Sequence, residues 1–212
     1  DNEDAPNAGV EELRKRNIPL VLVDRSFDKS SIDYVTSDNF AGGYLATKHL
    51  IQQGYERIGF VGGNYWGTSS LRDRFSGYRV ALETFGRNVA YSLVFEKYGL
   101  EVPNIIEDLV EFLEGMKPDA VVCLNDRIAI DVLEAAAVLG LRVPEDLGIV
   151  GFDNTAELQG SRIPLTTVVQ YWDDIASNAI RILLNKIRGA PNAFTQVEIP
   201  VELIVRESSV RR

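Results

Sequence analysis

The residues best suited to chemistry in this sequence are polar side chains that directly follow short apolar runs. Asp24 and Arg25 follow one such run, Asn125 follows a second, and Asp153 follows a third. Carboxylate, amide and guanidinium groups make paired hydrogen bonds, which suit a neutral ligand with several hydroxyl groups. Aromatic rings can cover the C–H face of such a ligand. Further candidates for this binding chemistry are Trp66, Arg72, Arg74, Tyr98, Asp126, Gln170, Tyr171 and Trp172.

Residue sets for catalysis or metal binding are sparse. The only histidine, His49, lies in the middle of a predicted helix without Cys or His at metal-ligand spacing, so we expect either a packing role or a position on the helix surface. A Ser–His–Asp relay would need that histidine in a loop or at a strand end. The glycine-rich stretch 62–67 lacks the features of a phosphate loop or a dinucleotide turn, and either a ligand loop or a plain turn fits it. We expect no enzymatic activity, no metal and no cofactor.

Charge and composition limit the kinds of partner that this chain is expected to bind. The net charge is −9, and basic residues cluster only at 14–16 and 211–212, whereas a DNA-binding surface needs grouped Lys and Arg. We therefore expect that this chain alone does not hold DNA. No apolar run approaches a membrane-spanning length and no export leader opens the sequence, so we expect neither a membrane nor secretion. The single cysteine, Cys123, fits a buried thiol in a reducing cytosol.

The hydrophobic pattern predicts the elements that must position these residues. Uniformly apolar strands alternate with helices of three or four turns, which is typical of parallel sheets covered on both faces. Right-handed crossovers then bring the C-terminal strand ends to one rim, where α/β proteins bind ligands. We expect Asp38 or Asn39 to cap one helix and Gly54 to end it. The predicted helices are 10–16, 38–53, 69–85, 104–114, 126–139 and 173–187, and the strands are 19–24, 34–37, 57–62, 91–95, 120–124, 148–152, 166–170, 196–199 and 202–205.

A series of motifs resembles the effector-binding domain of LacI/GalR-type transcriptional regulators over essentially the whole chain. Periplasmic sugar-binding proteins share this fold, and the stretch 67–74 resembles pentose binders as much as repressors, but the ending 199–209 has the repressor form. Arabinose-type regulators, which carry a different DNA-binding head, also fit. The motifs are Ile-Pro-Leu-Val-Leu-Val-Asp-Arg at 18–25, Val-Thr-Ser-Asp-Asn at 35–39, Arg-Phe-Ser-Gly-Tyr at 74–78, Asn-Asp at 125–126, Gly-Phe-Asp at 151–153, Pro-Leu-Thr-Thr at 164–167 and Leu-Ile-Val-Arg-Glu-Ser at 203–208.

The resemblance implies an α/β fold of the type I periplasmic-binding-protein kind, with two Rossmann-like lobes and three crossovers. The first, N-terminal lobe would comprise 1–35 and 171–199, and the second would comprise 36–170 and 200–212. The resemblance also implies that this chain lacks the DNA-binding head and that its first lobe is incomplete at the N-terminus.

In function, the resemblance implies the ligand-sensing domain of a cytoplasmic transcription repressor. A small sugar or sugar derivative would bind between the lobes and control DNA binding by a homodimer through the missing head. The helix 126–139 could provide an apolar dimer face, although core packing explains its pattern equally well. The alternative is the periplasmic sugar-binding protein of a transport system.

Carried over by position, the resemblance also assigns roles within the site. Asp24 and Arg25 would contact hydroxyl groups from the first lobe, and Arg74 would do so from the second, with Ser70 nearby. Asn125 and Asp153 would chelate adjacent hydroxyl groups. The remaining roles are a crossover contact for Gln170, stacking for Trp172, a wall of the site for Tyr98 and a helix cap for Asp126.

Overall fold

Strands and helices alternate along this computed structural model, which describes residues 8–27, 32–63, 68–98, 104–155, 163–189 and 194–211. The helices are α1 (Ala8–Lys15), α2 (Asn39–Gln52), α3 (Ser69–Thr84), α4 (Ile105–Met116), α5 (Asp126–Val138) and α6 (Trp172–Ile187). The strands are β1 (Val21–Val23), β2 (Asp33–Ser37), β3 (Ile58–Gly63), β4 (Val94–Tyr98), β5 (Ala120–Cys123), β6 (Gly148–Asp153), β7 (Thr166–Val169), β8 (Gln196–Ile199) and β9 (Glu202–Ile204).

The strands form two sheets in the described part of the chain. The smaller sheet has the order β1-β2-β8 and is parallel throughout. The larger sheet has the order β4-β3-β5-β6-β7-β9, and its first five strands are parallel. The chain passes between the sheets after β2, after β7 and after β8. The predicted α/β fold with parallel sheets is confirmed, while the predicted lobe boundaries stay a prediction.

Each sheet has its own apolar core. Every residue of β3 and β5 is buried, which explains why these strands are apolar without alternation. Around them lies the large core, in which the rings of Phe60 and Phe75 meet edge to face with centroids 5.2 Å apart. Helix α6 packs against the smaller sheet through Ile175, Ala179 and Ile182. The two cores fix the strand ends that face each other between the sheets.

Helices α2 and α3 cross at very short range because glycine occupies both contact positions. A Cβ atom built on Gly77 would lie 2.1 Å from the carbonyl oxygen of Phe40, and one built on Gly43 would lie 2.0 Å from the carbonyl oxygen of Arg74. Only residues without a side chain allow this approach. The crossing fixes the position of the first turns of α3, which carry Arg74.

Three details differ from the sequence predictions. Strand β9 is antiparallel to β7, because the chain enters the larger sheet beside the C-terminal end of β7 and runs back along it. The residues 91–93 form a 3-10 turn, and the strand follows them. Asp126 is not the cap of α5, because the side chain of Asn125 accepts the hydrogen bond from the Ile128 N–H and Asp126 is the first helical residue.

The ends of α2 and the position of His49 agree with the sequence predictions. The side chain of Asp38 accepts a hydrogen bond from the Ala41 N–H, and Gly54 has a φ of +84° just after the helix. His49 is buried, and its Nε2 lies 2.7 Å from the Ser209 hydroxyl oxygen. Of the two alternatives expected for this histidine, the structure shows the packing role.

Candidate functional site

Four of the predicted site residues come together between the two sheets. Asp24 directly follows β1 of the smaller sheet, and Asp153 ends β6 of the larger one. Gln170 directly follows β7, and Arg74 extends from α3. Because parallel strands end at the same rim, residues that are distant in the sequence become neighbours here.

Arg74 is the centre of this cluster and is almost fully buried, with 6% of its surface exposed. Its Nε donates to Asn39 Oδ1 at 2.8 Å, and its Nη1 donates to the Leu124 carbonyl oxygen at 2.6 Å. The guanidinium carbon lies 3.7 Å above the centre of the Phe152 ring. These contacts hold the guanidinium group against the ring and use Nε and one N–H group of Nη1, so a ligand can be offered N–H groups of Nη1 and Nη2.

Asp153 lies beside Arg74, with its Oδ1 3.7 Å from Nη1 of the arginine. The same oxygen accepts a 2.6 Å hydrogen bond from Gln170 Nε2. Burial raises the pKa of Asp153 to about 6, although Arg74 and Gln170 act in the opposite direction. The backbone φ of Asp153 is +108°, a strained conformation that positions the carboxyl group at the end of the strand.

Asp24 approaches the same arginine from the smaller sheet. Burial raises the pKa of Asp24, while the positive charges of Arg74 and Arg25 lower it. Its Oδ1 is buried and has no hydrogen-bond partner among the residues that the structure describes. Its φ of +62° is also unfavourable for a residue with a side chain. A buried carboxylate oxygen without a donor is a strong acceptor for a ligand hydroxyl group.

The first residues of α3 approach the smaller sheet directly. The backbone N–H of Ser26 donates to the hydroxyl oxygen of Ser69 at 2.8 Å, which links the segment after β1 to the start of α3. Ser70 is buried beside this link, and its hydroxyl oxygen lies 3.2 Å from that of Thr68. Arg25 is exposed and interacts electrostatically with Asp24. These residues border the cluster of Arg74 and the two carboxyl groups.

Asn125 and Asp126 have structural roles that limit what they can offer a ligand. The side-chain oxygen of Asn125 caps α5, so only its amide nitrogen is left as a donor. Asp126 is fully buried and accepts hydrogen bonds from Thr167 Oγ1 at 2.6 Å and from the Thr155 N–H at 2.9 Å. Asp126 therefore connects the start of α5 to β7 and to the segment that follows β6.

The structure describes only some of the aromatic residues that were predicted for the site. Trp172 is the first residue of α6, is 45% exposed, and lines a hollow of about 410 Å³ with Gln170, Tyr171 and two aspartates. Trp66 and the side chain of Tyr98 lie outside the described residues. The stacking surfaces of the site thus stay a prediction.

Three residues of the cluster were missed by the sequence interpretation. Asn39 holds Arg74, the Ser37 hydroxyl donates to Gln170 Oε1 at 2.6 Å, and Phe152 supports the guanidinium group. The sequence indicates for Asn39 only the role of a possible helix cap. The clue in the sequence is that Asp38, one residue earlier, can cap the helix equally well. Since Asp38 is the cap, the side chain of Asn39 is available for another role.

The arrangement is suited to binding. It combines one buried guanidinium group with two carboxyl groups, and burial raises the pKa of both carboxyl groups. Among the described residues, no group of three or more His, Cys, Asp or Glu side chains could hold a metal ion. Likewise, none of the helices in the described ranges is long and apolar enough to span a membrane.

The prediction that Asp153→Asn stabilises the unliganded protein above pH 7 follows from the raised pKa of Asp153. The fold favours the protonated carboxyl group, so ionisation destabilises the native state as the pH rises from about 4 to about 6. A shift of about two units corresponds to roughly 2–3 kcal/mol. Urea unfolding at pH 4, 6 and 7.5 should show a gain for the variant that disappears at the lowest pH.

Asp146→Asn provides a control with the opposite sign. Hydrogen bonds from Arg142 lower the pKa of Asp146 to about 2. Its contribution to stability is therefore present above the unfolded pKa and is lost as the pH falls through the folded value. This variant should lose stability at pH 7.5. An Asp153→Asn protein that is less stable than the parent at pH 7.5 would contradict the assignment.

Comparisons with known proteins show which protein families and individual proteins this chain is similar to. Residues 47–209 match the family model described as a periplasmic binding protein-like domain. The HTH-type transcriptional regulator DegA of Bacillus subtilis (strain 168) is 32% identical over 203 residues, which cover 95% of this chain and 59% of DegA. The HTH-type transcriptional repressor PurR of Pasteurella multocida (strain Pm70) is 32% identical over 197 residues, which cover 91% of this chain and 57% of PurR.

A solved structure is similar over the same extent. The complex of the transcriptional regulator CelR with cellobiose superimposes with a TM-score of 0.86 and 28% identity, covering 94% of this chain and 61% of CelR. The chain thus spans less than two thirds of the length of each of these three proteins.

Proposed function

This chain belongs to the periplasmic binding protein-like domain family, and on that premise we propose that it senses a small sugar-type effector for a transcription repressor. The observation that carries the proposal is the position of Arg74 between Asp24 and Asp153, two carboxyl groups from different sheets. A ligand that bridges the three groups binds both sheets at once and stabilises one arrangement of the lobes.

The chemistry of the cluster favours a ligand that both donates and accepts hydrogen bonds. The unpartnered Oδ1 of Asp24 and the carboxyl group of Asp153 accept from hydroxyl groups, and Arg74 donates. Adjacent hydroxyl groups of a sugar supply both functions in one molecule. The CelR structure contains cellobiose, which supports a sugar as the effector class for this chain as well.

Regulation is favoured over transport by the relatives. DegA and PurR are named as transcriptional proteins of the HTH type. We infer that the effector domain controls a DNA-binding head in the whole protein, that the active form is a homodimer in the cytoplasm, and that binding changes no covalent bond. Effector binding then alters DNA affinity because it favours one relative position of the lobes.

A thermal-shift screen tests the proposed function. The panel contains ribose, xylose, glucose, galactose and cellobiose, together with ribose 5-phosphate and glucose 6-phosphate. A sugar present at about 100 times its dissociation constant adds roughly 2.7 kcal/mol to the free energy of unfolding, a clear rise in the melting temperature. We expect a saturable shift without turnover. If a sugar is converted to product, or if no member of a widened sugar panel binds, the proposal is wrong.

A further inference from the structure

The ligand-facing groups are held by a buried set of hydrogen bonds that begins at the passage between the sheets. The hydroxyl group of Ser37 donates to Gln170 Oε1 at 2.6 Å, and Gln170 Nε2 donates to Asp153 Oδ1 at 2.6 Å. Ser37 and Gln170 are only 1% and 4% exposed, so both partners are shielded from bulk water. The orientation of the Asp153 carboxyl group therefore depends on a buried serine.

A second branch leads from the same strand to the arginine. Asn39 Nδ2 donates to the Ser37 carbonyl oxygen at 2.9 Å and to Thr36 Oγ1 at 3.2 Å. Asn39 Oδ1 accepts from Arg74 Nε at 2.8 Å. Because Arg74 Nη1 lies 3.7 Å from Asp153 Oδ1, the two branches close into a ring. We call Ser37, Asn39, Arg74, Asp153 and Gln170 the crossover ring.

The amide groups of the ring have only one workable orientation each. Asn39 uses its oxygen for Arg74 and both of its N–H groups for the backbone and Thr36. A flipped amide would place its NH₂ group against the guanidinium donor, and a buried donor would lose its acceptor. In the same way, when Asp153 is ionised, Gln170 can donate to Asp153 and accept from Ser37 in only one orientation.

The ring also has a particular place in the fold. Ser37 is the last residue of β2, where the chain leaves the smaller sheet, and Gln170 is the first residue after β7, where it leaves the larger sheet. Two of the three connections between the sheets are therefore joined to each other through one hydrogen bond. A movement of one sheet relative to the other acts on this bond directly.

We propose that Ser37 and Asn39 are positioning residues of the effector site, which hold Gln170 and Arg74 so that Asp153 is oriented from the crossover strands. The inference rests on the proposed function, because it assigns these roles within the same site. It adds two buried residues that sequence interpretation does not select. It also makes effector affinity depend on the geometry of the connections between the lobes.

Titration of Asp153 reports the state of the ring without any ligand. The groups that act on this carboxyl group are Arg74 from α3, Gln170 from the crossover, Asp126 from α5 and Asp24 from the end of β1. Arg74 and the Gln170 hydrogen bond favour the ionised form, whereas the two other carboxyl groups oppose it. A Gln170 side chain that is no longer held by Ser37 stabilises the ionised form less well.

The test is an NMR pH titration of the Asp153 carboxyl carbon in protein labelled at aspartate Cγ, with the signal assigned from Asp153→Asn. We expect Ser37→Ala to raise the titration midpoint by about half a unit to one unit, and Ser37→Thr, which keeps the hydroxyl group, to restore it. Gln170→Met, which removes the donor itself, should raise the midpoint at least as far, and it serves if a Ser37 variant does not fold.

Ser208→Ala is the matched control. Ser208 is also fully buried, and its hydroxyl group bonds to the Ile149 carbonyl oxygen and the Thr166 N–H, away from the ring. Its removal should lower the melting temperature and leave the Asp153 midpoint unchanged. A folded Ser37→Ala protein with an unchanged midpoint, or an equal shift in Ser208→Ala, would overturn the proposal.

Ligand affinity separates this inference from the proposed function. For the sugar from the panel that gives the largest thermal shift, we expect Ser37→Ala to raise Kd about tenfold at pH 7.5, the loss that corresponds to one hydrogen bond of about 1.4 kcal/mol. If no sugar binds the parent protein, the proposed function fails. The titration then still decides whether the crossover ring positions the Asp153 carboxyl group. If sugar binds with equal affinity to both proteins, only the ring proposal fails.

Discussion

We expect Arg74→Met to abolish saturable sugar binding and to lower the free energy of unfolding by about 3–5 kcal/mol. The substitution removes the only guanidinium group that contacts Asn39, the Leu124 carbonyl oxygen and Asp153 among the described residues. It leaves a buried amide oxygen, a buried carbonyl oxygen and the nearby carboxyl groups without that donor. Methionine keeps an apolar stem of similar length but removes the guanidinium group that lies over the Phe152 ring, so the loss is mainly one of charge and hydrogen bonds.

Arg79→Met is the control for this experiment. Arg79 lies on the same helix, but it is exposed and pairs with Glu83 at 3.0 Å. Exposed pairs of this kind contribute little, so the variant should unfold like the parent within about 0.5 kcal/mol and bind the sugar normally. Chemical denaturation and isothermal titration calorimetry measure the two effects. Arg74→Met protein that still binds the sugar with parental affinity would show that the site is misplaced.

Gly77→Ala should also cause a large loss of stability. The added Cβ atom would lie 2.1 Å from the Phe40 carbonyl oxygen and 2.6 Å from the Tyr44 nitrogen, both of which are backbone atoms of α2. The helices must separate to accommodate it, because neither atom can move independently of its helix. We expect a loss of about 3 kcal/mol from overpacking. Arg74 shifts with α3, so sugar affinity should fall as well.

Gly115→Ala is the matched control for the glycine prediction. Gly115 lies in α4, and apart from its own stretch of helix no atom of the described residues lies within 4 Å of the position of an added Cβ. Alanine is the better helix former, so this variant should gain up to about 1 kcal/mol in urea unfolding. A Gly77→Ala protein as stable as Gly115→Ala would mean that α2 and α3 do not cross at the distance described here.

The strand-end residues of the site were predictable because one rule places them. Asp24, Asp153 and Gln170 each follow or end a strand, and parallel strands bring their C-terminal ends together. The uniform hydrophobicity of β3 and β5 likewise predicted buried parallel strands. The hydrophobic pattern of the sequence carries this information directly, because a strand that is buried on both faces has no polar residues alternating with apolar ones.

The supporting residues depend on packing that the sequence does not encode locally. Asn39 can reach Arg74 only because Gly43 and Gly77 allow α2 and α3 to cross closely. The choice between Asn125 and Asp126 as helix cap is also decided by tertiary contacts, since Thr167 and Thr155 bind the Asp126 carboxylate from another part of the chain. Two adjacent residues of similar capping propensity give no local reason to prefer one.

A crystal structure of this domain with the sugar that gives the largest thermal shift tests the central claim most directly. The account predicts sugar hydroxyl groups within about 3 Å of Arg74, of the Asp24 carboxyl group and of the Asp153 carboxyl group in a single bound molecule. Electron density for a specifically bound sugar elsewhere on the protein, with these three side chains free of it, would contradict the account.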